Sequence, residues 1–364
     1  MTAHPEMQQQ NQQTAIDETK LNEFMGQLVG DLGSTMTAAL IFIGDKLGLY
    51  KAVADGKPFT PAELAQRTNT VERYVREWLG NQAASGYIKY DAKTSMYTLP
   101  PEQSLALAQE GSPAFFAGAF QTATAMFSAI PKITENFKSG KGLHWGEHDH
   151  SLFEGTERFY RPGYAAHLVQ DWIPALDGVD AKLKSGAKVV DIGCGFGAST
   201  IIMAQAYPKS TFTGFDFHAP SVEAAKQRAE AAGVSDRVTF AVAKSIDYPG
   251  QNYDLVCHFD CLHDLGDPVG AAKHVRDTLK KDGTWMIIEP SAGDNVEENL
   301  TPVGRIYYAA STMLCVPASL SQNGPALGGQ AGERCLTDII RRGGFAQCRR
   351  AMQTPFNLIL EARP

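Results

Sequence analysis

Lys188-Val189-Val190-Asp191-Ile192-Gly193-Cys194-Gly195-Phe196-Gly197 is the stretch that decides the fold. Its short apolar run, bounded by glycine, reads as a buried parallel strand. Gly193, Gly195 and Gly197 follow at alternate positions, and Ala198–Tyr207 then carries apolar residues at helical spacing. Strand, glycine turn and helix together bring the backbone close to whatever occupies the turn. Glycine allows that approach because it lacks a Cβ and adopts positive φ at little cost. The following helix presents its first free N–H groups to the same place.

Gly193, Gly195 and Ala198 also satisfy the G-x-G-x-x-G/A spacing, so a nicotinamide or flavin dinucleotide competes for the turn. Asp191, at the strand end, weighs against it. A carboxylate there repels a pyrophosphate but suits an ammonium or sulfonium, as on the methionine end of S-adenosylmethionine (SAM). Thr211–Phe215 reads as the next strand and Asp216 closes it. An acid at that tip holds a ribose diol. Dinucleotide enzymes share that feature, so Asp216 indicates adenosine rather than SAM in particular.

Val189–Gly197 followed by Gly214-Phe215-Asp216 resembles the first two motifs of class I SAM-dependent methyltransferases, over roughly residues 180–364. The resemblance implies an α/β architecture with a Rossmann-like seven-stranded mixed sheet, SAM as the cofactor, and a cradle formed by Gly193, Gly195 and Gly197.

The rest of the chain bounds this reading. Its 364 residues suggest about two domains, and 43% hydrophobic content suffices for real cores. The net charge of −7 argues against nucleic acid and against an acidic membrane surface. Six scattered cysteines without paired zinc-site spacing read as reduced thiols of a cytoplasmic protein. Met1–Lys20 is polar and glutamine-rich, so it is expected to be disordered, and it lacks the apolar region of a signal peptide. No stretch reads as a membrane span; Ser112–Pro131 comes closest, interrupted by Gly118, Gln121 and threonines.

Residues 21–105 read as a winged-helix domain. Leu21–Tyr50 has helical spacing. Thr60, Pro61 and Glu63 form a capping box with proline in the first turn. Val71–Ser85 is a second helix, and Gly86–Tyr90 and Ser95–Leu99 are two short strands. The second helix carries Glu72, Arg73, Arg76 and Glu77, which sum to zero charge, and phosphate contacts need a positive excess. Paired with a methyltransferase domain, this unit resembles that of plant and bacterial small-molecule O-methyltransferases, through Leu47-Gly48-Leu49, Thr60–Ala65, Arg73 and Gly86-Tyr87-Ile88. There it mediates dimerisation, which implies a homodimer; bracing of the catalytic domain is the other reading.

Residues 106–185 read as a helical linker and lid. Gly142–His150 concentrates His144, His148 and His150 with Glu147 and Asp149. These groups could ligate a metal, but the spacing fits no common motif, and a solvated loop is the simpler reading. Trp145 makes the loop suited to closing over a substrate. Glu157–Trp172 reads as a helix, and the resemblance implies that it lends an aromatic, Tyr160 or Tyr164, to the SAM site.

Within residues 186–364, the resemblance implies an acid after strand Val238–Ala243 to accept from adenine. Lys244 stands there instead, so Ser245 or nearby backbone is expected to take that contact. Phe217 stacks on adenine or packs. Tyr253–Phe259 is the fourth strand, with Phe259 at the cofactor edge and His258 a core residue. The following Leu262-His263-Asp264 resembles the segment carrying the general base of small-molecule O-methyltransferases. Histidine suits the task, with an unperturbed pKa near ~6.5, although a structural or cofactor-side role for His263 stays open. Lys281–Gly283 reads as a turn before strand Thr284–Pro290. Ala292–Gly332 reads as a long irregular acceptor wall bearing Tyr307, Tyr308 and Met313. A helix, Thr337–Arg342, and a closing hairpin, Phe345–Met352 with Phe356–Ala362, complete the domain. The function expected is SAM-dependent methyl transfer to a small-molecule oxygen. The alternatives are transfer to N, S or C, or a SAM-binding winged-helix regulator without turnover. An NAD-dependent oxidoreductase is disfavoured by Asp191.

Overall fold

The computed structural model describes residues 16–364. Of the stretch expected to be disordered, residues 1–15 lie outside the described residues. The remainder departs from that expectation: Asp17 caps helix α1, Glu18–Lys46, by accepting from Thr19 and Lys20 N–H. α2, Pro61–Thr68, carries the full Thr60–Glu63 capping box, and α3, Glu72–Ala84, follows. β1, Lys89–Asp91, pairs antiparallel with β2, Met96–Thr98, as the wing. Thr60→Ala removes the cap acceptor and should lower stability by about 1 kcal/mol in urea unfolding.

α1 is packed only at its C-terminal half. Gly44 lies against Trp78, where a Cβ would sit 2.5 Å from the indole ring. Most of residues 18–36 is exposed, including Leu21, Phe24, Leu28, Leu32 and Met36. Among the described residues, α1, not Ser112–Pro131, is the helix long and apolar enough by composition to cross a bilayer.

Helices α4 (Pro101–Leu107), α5 (Ala117–Phe127), α6 (Ile130–Ser139), α7 (His150–His167) and α8 (Val179–Ser185) connect the two units. α7 runs into a π-helical turn, Leu168–Trp172. Arg158 of α7 is the clamp: it donates to Asp45 of α1, to Glu110 and to Gln121.

The second unit alternates strands and helices: β3 (Lys188–Ile192), α9 (Ala198–Ala206), β4 (Thr211–Asp216), α10 (Ala219–Ala231), β5 (Val238–Val242), β6 (Tyr253–Phe259), α11 (Pro268–Thr278) and β7 (Leu279–Pro290). α12 (Pro302–Ala310), α13 (Val316–Ser321), α14 (Gly332–Arg342), β8 (Gln347–Gln353) and β9 (Asn357–Arg363) complete it. The sheet order is β5-β4-β3-β6-β7-β9-β8, parallel except for β9, which pairs antiparallel with both β7 and β8. The chain builds outward from β3 to β5, then returns to the other side of β3 as β6. That reversal opens a crevice at the C-terminal ends of β3 and β6, where such sheets place their ligands.

Two expectations on this unit are corrected. Lys281–Gly283 is a bulge within β7, between the pairings of Leu279 with Tyr253 and Thr284 with Leu255. Ala292–Gly332 is mostly helical: a 3₁₀ turn, Val296–Asn299, then α12, a π-helical turn, Ser311–Cys315, and α13. Polar and glycine-rich stretches at either end masked the helical spacing between them.

Candidate active site

A cavity of about 790 Å³ opens at the crevice between β3 and β6. Its floor is the glycine turn. Gly193, Gly195 and Gly197 all have positive φ, at 72°, 52° and 79°, but their surroundings differ. A Cβ on Gly193 would meet Cys261 Sγ at 2.8 Å, and one on Gly197 would meet the Phe240 ring at 2.6 Å. A Cβ on Gly195 would meet nothing within 4 Å. Gly193 and Gly195 line the cavity, whereas Gly197 is turned into the core and leads α9.

Asp216 joins the two motifs physically. Its Oδ2 accepts from Gly195 N–H at 3.0 Å and its Oδ1 from His218 N–H at 2.8 Å. One carboxylate thus fixes the turn after β3 and the turn after β4, and it lines the cavity. Burial pushes its carboxyl pKa up, against the two backbone N–H donors.

Asp191 does not line the cavity as the charge argument expected. It is 1% exposed, and its Oδ2 accepts from Ser199 Oγ and Thr200 Oγ1 at 2.6 Å each. The acid therefore secures the first turn of α9 behind the glycine turn. Its Oδ1 is buried without a partner, and burial raises its pKa to about 6.

Of the other expected cofactor residues, Phe217, Ser245, Phe259, Tyr160 and Tyr164 all line the cavity, as does the departure at Lys244. Tyr160 and Tyr164 stack, with centroids 5.9 Å apart and planes 12° apart, and Tyr164 meets Phe259. Of the acceptor-side residues, Trp145 lines the cavity, while Tyr307, Tyr308 and Met313 do not. Tyr307 donates to Phe356 O at 2.8 Å, Tyr308 is exposed, and Met313 packs beside the cluster containing Phe153 and Phe196. Sequence spacing showed that these side chains share a segment, but not which face that segment buries.

Gly142–His150 is ordered by packing. Leu143 N–H donates to Pro317 O at 3.0 Å, Trp145–Glu147 is a 3₁₀ turn, and α7 begins at His150. His144 and Trp145 reach the cavity, His144 edge-on to Phe217. His148 is buried with both ring nitrogens unpartnered, and burial lowers its pKa to about 4. Among the described residues no cluster is arranged to hold a metal ion.

His263 lies near the cavity but off its wall. It is 3% exposed, and its Nδ1 is hydrogen-bonded to Glu289 Oε2 at 2.5 Å. Burial alone would favour the neutral ring, but Glu289, helped by the Cys315 thiol, outweighs it and holds the pKa well above normal. Of the two roles left open for His263, a ring held by Glu289 and off the cavity wall fits the structural or cofactor-side role better than a base facing the acceptor. Glu289, Asp260 and Asp264 were missed. The last two line the cavity, and the only signal available was their place beside the end of a central strand. His258 is a core residue as expected: its Nδ1 accepts from Trp285 Nε1 at 3.0 Å.

The residues fit SAM. The open space over Gly195 is a cradle that a Cβ would fill, and the lining carries the acids Glu157, Asp216, Asp260, Asp264 and Asp267 against one lysine, Lys244. Acidic groups that a bound cation can ionise suit a cationic ligand and give a pyrophosphate no partner.

Comparison with known proteins agrees. A methyltransferase-domain family model matches residues 183–338, and an Rv2258c-like winged HTH domain model matches residues 35–109. The chain is 29% identical over 196 residues to the 27-O-demethylrifamycin SV methyltransferase of Amycolatopsis mediterranei, covering 51% of this chain and 66% of that protein. Across the curated relatives compared, the aligned stretch covers from 20% to 66% of their length. Among solved structures, the mitomycin 7-O-methyltransferase superposes with a TM-score of 0.67 at 19% identity, over 95% of this chain and 100% of that one. Human N-acetylserotonin methyltransferase, in complex with SAM, gives 0.66 at 17%, over 96% and 99%. The chain therefore carries the class I methyltransferase fold behind a winged HTH domain. Its second unit matches a methyltransferase domain over residues 183–338.

Proposed function

We propose that this chain is a SAM-dependent methyltransferase that transfers a methyl group to an oxygen of a small, partly aromatic acceptor. The observation that carries the reading is the single cavity in which the open cradle over Gly195 and the carboxylate of Asp216 meet the aromatic wall of Trp145, Phe153, Tyr160 and Tyr164. SAM supplies an electrophilic methyl group. The chain's residues hold the cofactor at the glycine turn and Asp216, align the acceptor against the rings, and exclude water. Oxygen as the acceptor atom is supported by the names of the rifamycin and mitomycin enzymes to which the chain is similar. Incubation with SAM bearing a labelled methyl and a small-molecule extract should place the label in a low-molecular-weight product; label retained in SAM would contradict the reading.

The proposed division is a winged unit at 21–105, connecting helices at 106–185 and a SAM-binding unit at 186–364. A regulator that binds DNA is disfavoured because Arg73 and Arg76 of α3 are each ion-paired, with Glu77 and Glu72. The exposed apolar stripe of α1 is proposed to pair with a second copy of the chain. Asp31, ion-paired with Arg305 halfway along that stripe, supports a protein partner over a bilayer. Six free cysteines support a reducing, cytoplasmic setting.

Asp216→Ala removes the acceptor of two backbone N–H groups, those of Gly195 and His218, and the proposed ribose contact. SAM affinity should fall by about 1.5–3 kcal/mol, the scale of hydrogen bonds to a charged group, as measured by titration calorimetry. Unchanged affinity would remove Asp216 from the site.

A further inference from the structure

Asp260 occupies a built position in the cavity wall. It follows β6 with φ at 51°, a left-handed conformation that a non-glycine residue keeps only where its surroundings impose it. Three elements do so. Its backbone N–H donates to Ile288 O of β7 at 2.7 Å. Its Oδ2 accepts from Tyr164 OH of α7 at 3.1 Å, and its Oδ1 from Asn357 Nδ2 of β9 at 3.2 Å. The next residue, Cys261, abuts Gly193 of the glycine turn. The carboxyl group therefore stands at the end of the cavity bounded by that turn, while His263 lies off the wall and is committed to Glu289.

On the SAM reading proposed above, we infer that Asp260 is the proton-holding group of the site: a carboxylic acid in the free protein, it releases its proton when the cationic cofactor binds and then accepts the proton of the acceptor hydroxyl. The protons balance. One leaves Oδ for solvent on binding, and one returns to the carboxylate from the acceptor oxygen as that oxygen is methylated. The methylated product is neutral at that oxygen, and the carboxyl group is restored to its starting form.

The groups facing Asp260 support this cycle. Glu289 of β7 adds negative charge, His263 in the turn after β6 opposes it, and Tyr160 and Tyr164 of α7 and Tyr307 of α12 are neutral neighbours. Burial first, then Glu289, push the Asp260 carboxyl up to about 8, against His263 and the donors Tyr164 and Asn357. A cation placed beside it reverses the balance. Asp264, raised to about 7 chiefly by burial, lines the same cavity and is the competing source of a proton.

The test is calorimetric titration of SAM into the full chain at pH 7, in phosphate and in Tris, whose different ionisation heats count the protons released. The expected result is close to one proton per SAM, with affinity rising by more than about tenfold from pH 6 to pH 8. S-adenosylhomocysteine, whose sulfur is uncharged, should release less. Asp260→Asn should release none, and its affinity should be nearly independent of pH and near wild type at pH 6. Tyr164→Phe removes a donor to the carboxylate, so it should move the midpoint of proton release to higher pH; this variant serves if Asp260→Asn does not fold. Release that persists in Asp260→Asn, or disappears in Asp264→Asn instead, overturns the inference. A wild-type chain that does not bind SAM at all overturns the proposed function, and is distinguishable from either outcome.

Discussion

Gly195→Val is expected to abolish SAM binding while leaving a folded protein. The two flanking glycines are poor places for this test, because side chains there would strike Cys261 or Phe240 and damage the fold itself. At Gly195 the space is open, and it is cavity space. Valine's branches would stand in the proposed cradle. The positive φ of 52° adds about 1–2 kcal/mol of backbone strain for a residue with a Cβ, less than the total stability of a typical domain. The expected outcome is a loss of SAM affinity of at least about a hundredfold, or 2.7 kcal/mol, with far-UV circular dichroism unchanged. Wild-type affinity in this variant would show that the cradle lies elsewhere.

Glu289→Ala should produce the largest loss of stability. Glu289 is 1% exposed; its Oε2 pairs with His263 Nδ1, and its Oε1 accepts from Leu262 N–H at 2.8 Å. Truncation leaves a buried imidazolium and a buried N–H without partners, a loss of about 3–5 kcal/mol for breaking a buried pair. The cost depends on pH. The folded-state pKa of His263 is raised, so the pair's stabilisation is fully present below the unfolded value near ~6.5 and is lost as pH rises through the folded value. The penalty measured by urea unfolding should therefore be greatest near pH 6 and shrink towards alkaline pH. Glu289→Gln keeps the Leu262 acceptor and should cost less. A penalty of similar size in both variants, flat with pH, would show that His263 is neutral in the fold.

What the sequence disclosed was local. The apolar run at Val189–Ile192, Gly193, Gly195 and the acid at Asp216 are signals contained within a few residues, and each lies at the expected end of its strand, whereas Gly197 faces the core. The capping box at Thr60 is legible for the same reason. The candidate site was harder to read wherever its geometry depends on distant partners. Asp260 depends on Tyr164 and on Asn357, 97 residues further along the chain, and nothing in its own neighbourhood announces them. Charge alone places Asp191 at the ligand, whereas Ser199 and Thr200, in the first turn of the next helix, draw its carboxylate away from the cavity. Residue type alone makes Tyr307 an acceptor contact, but its hydroxyl donates to Phe356 O. The tripeptide around His263 says nothing of Glu289, the partner that holds it from the neighbouring strand.

Titration of the full-length chain with SAM, S-adenosylhomocysteine and NAD in parallel tests the central claim most directly. The arrangement of an open glycine cradle, a ribose carboxylate and an acid-rich cavity wall predicts saturable binding of both sulfur compounds and no heat from NAD. Binding of NAD, with neither SAM nor S-adenosylhomocysteine bound, would contradict it.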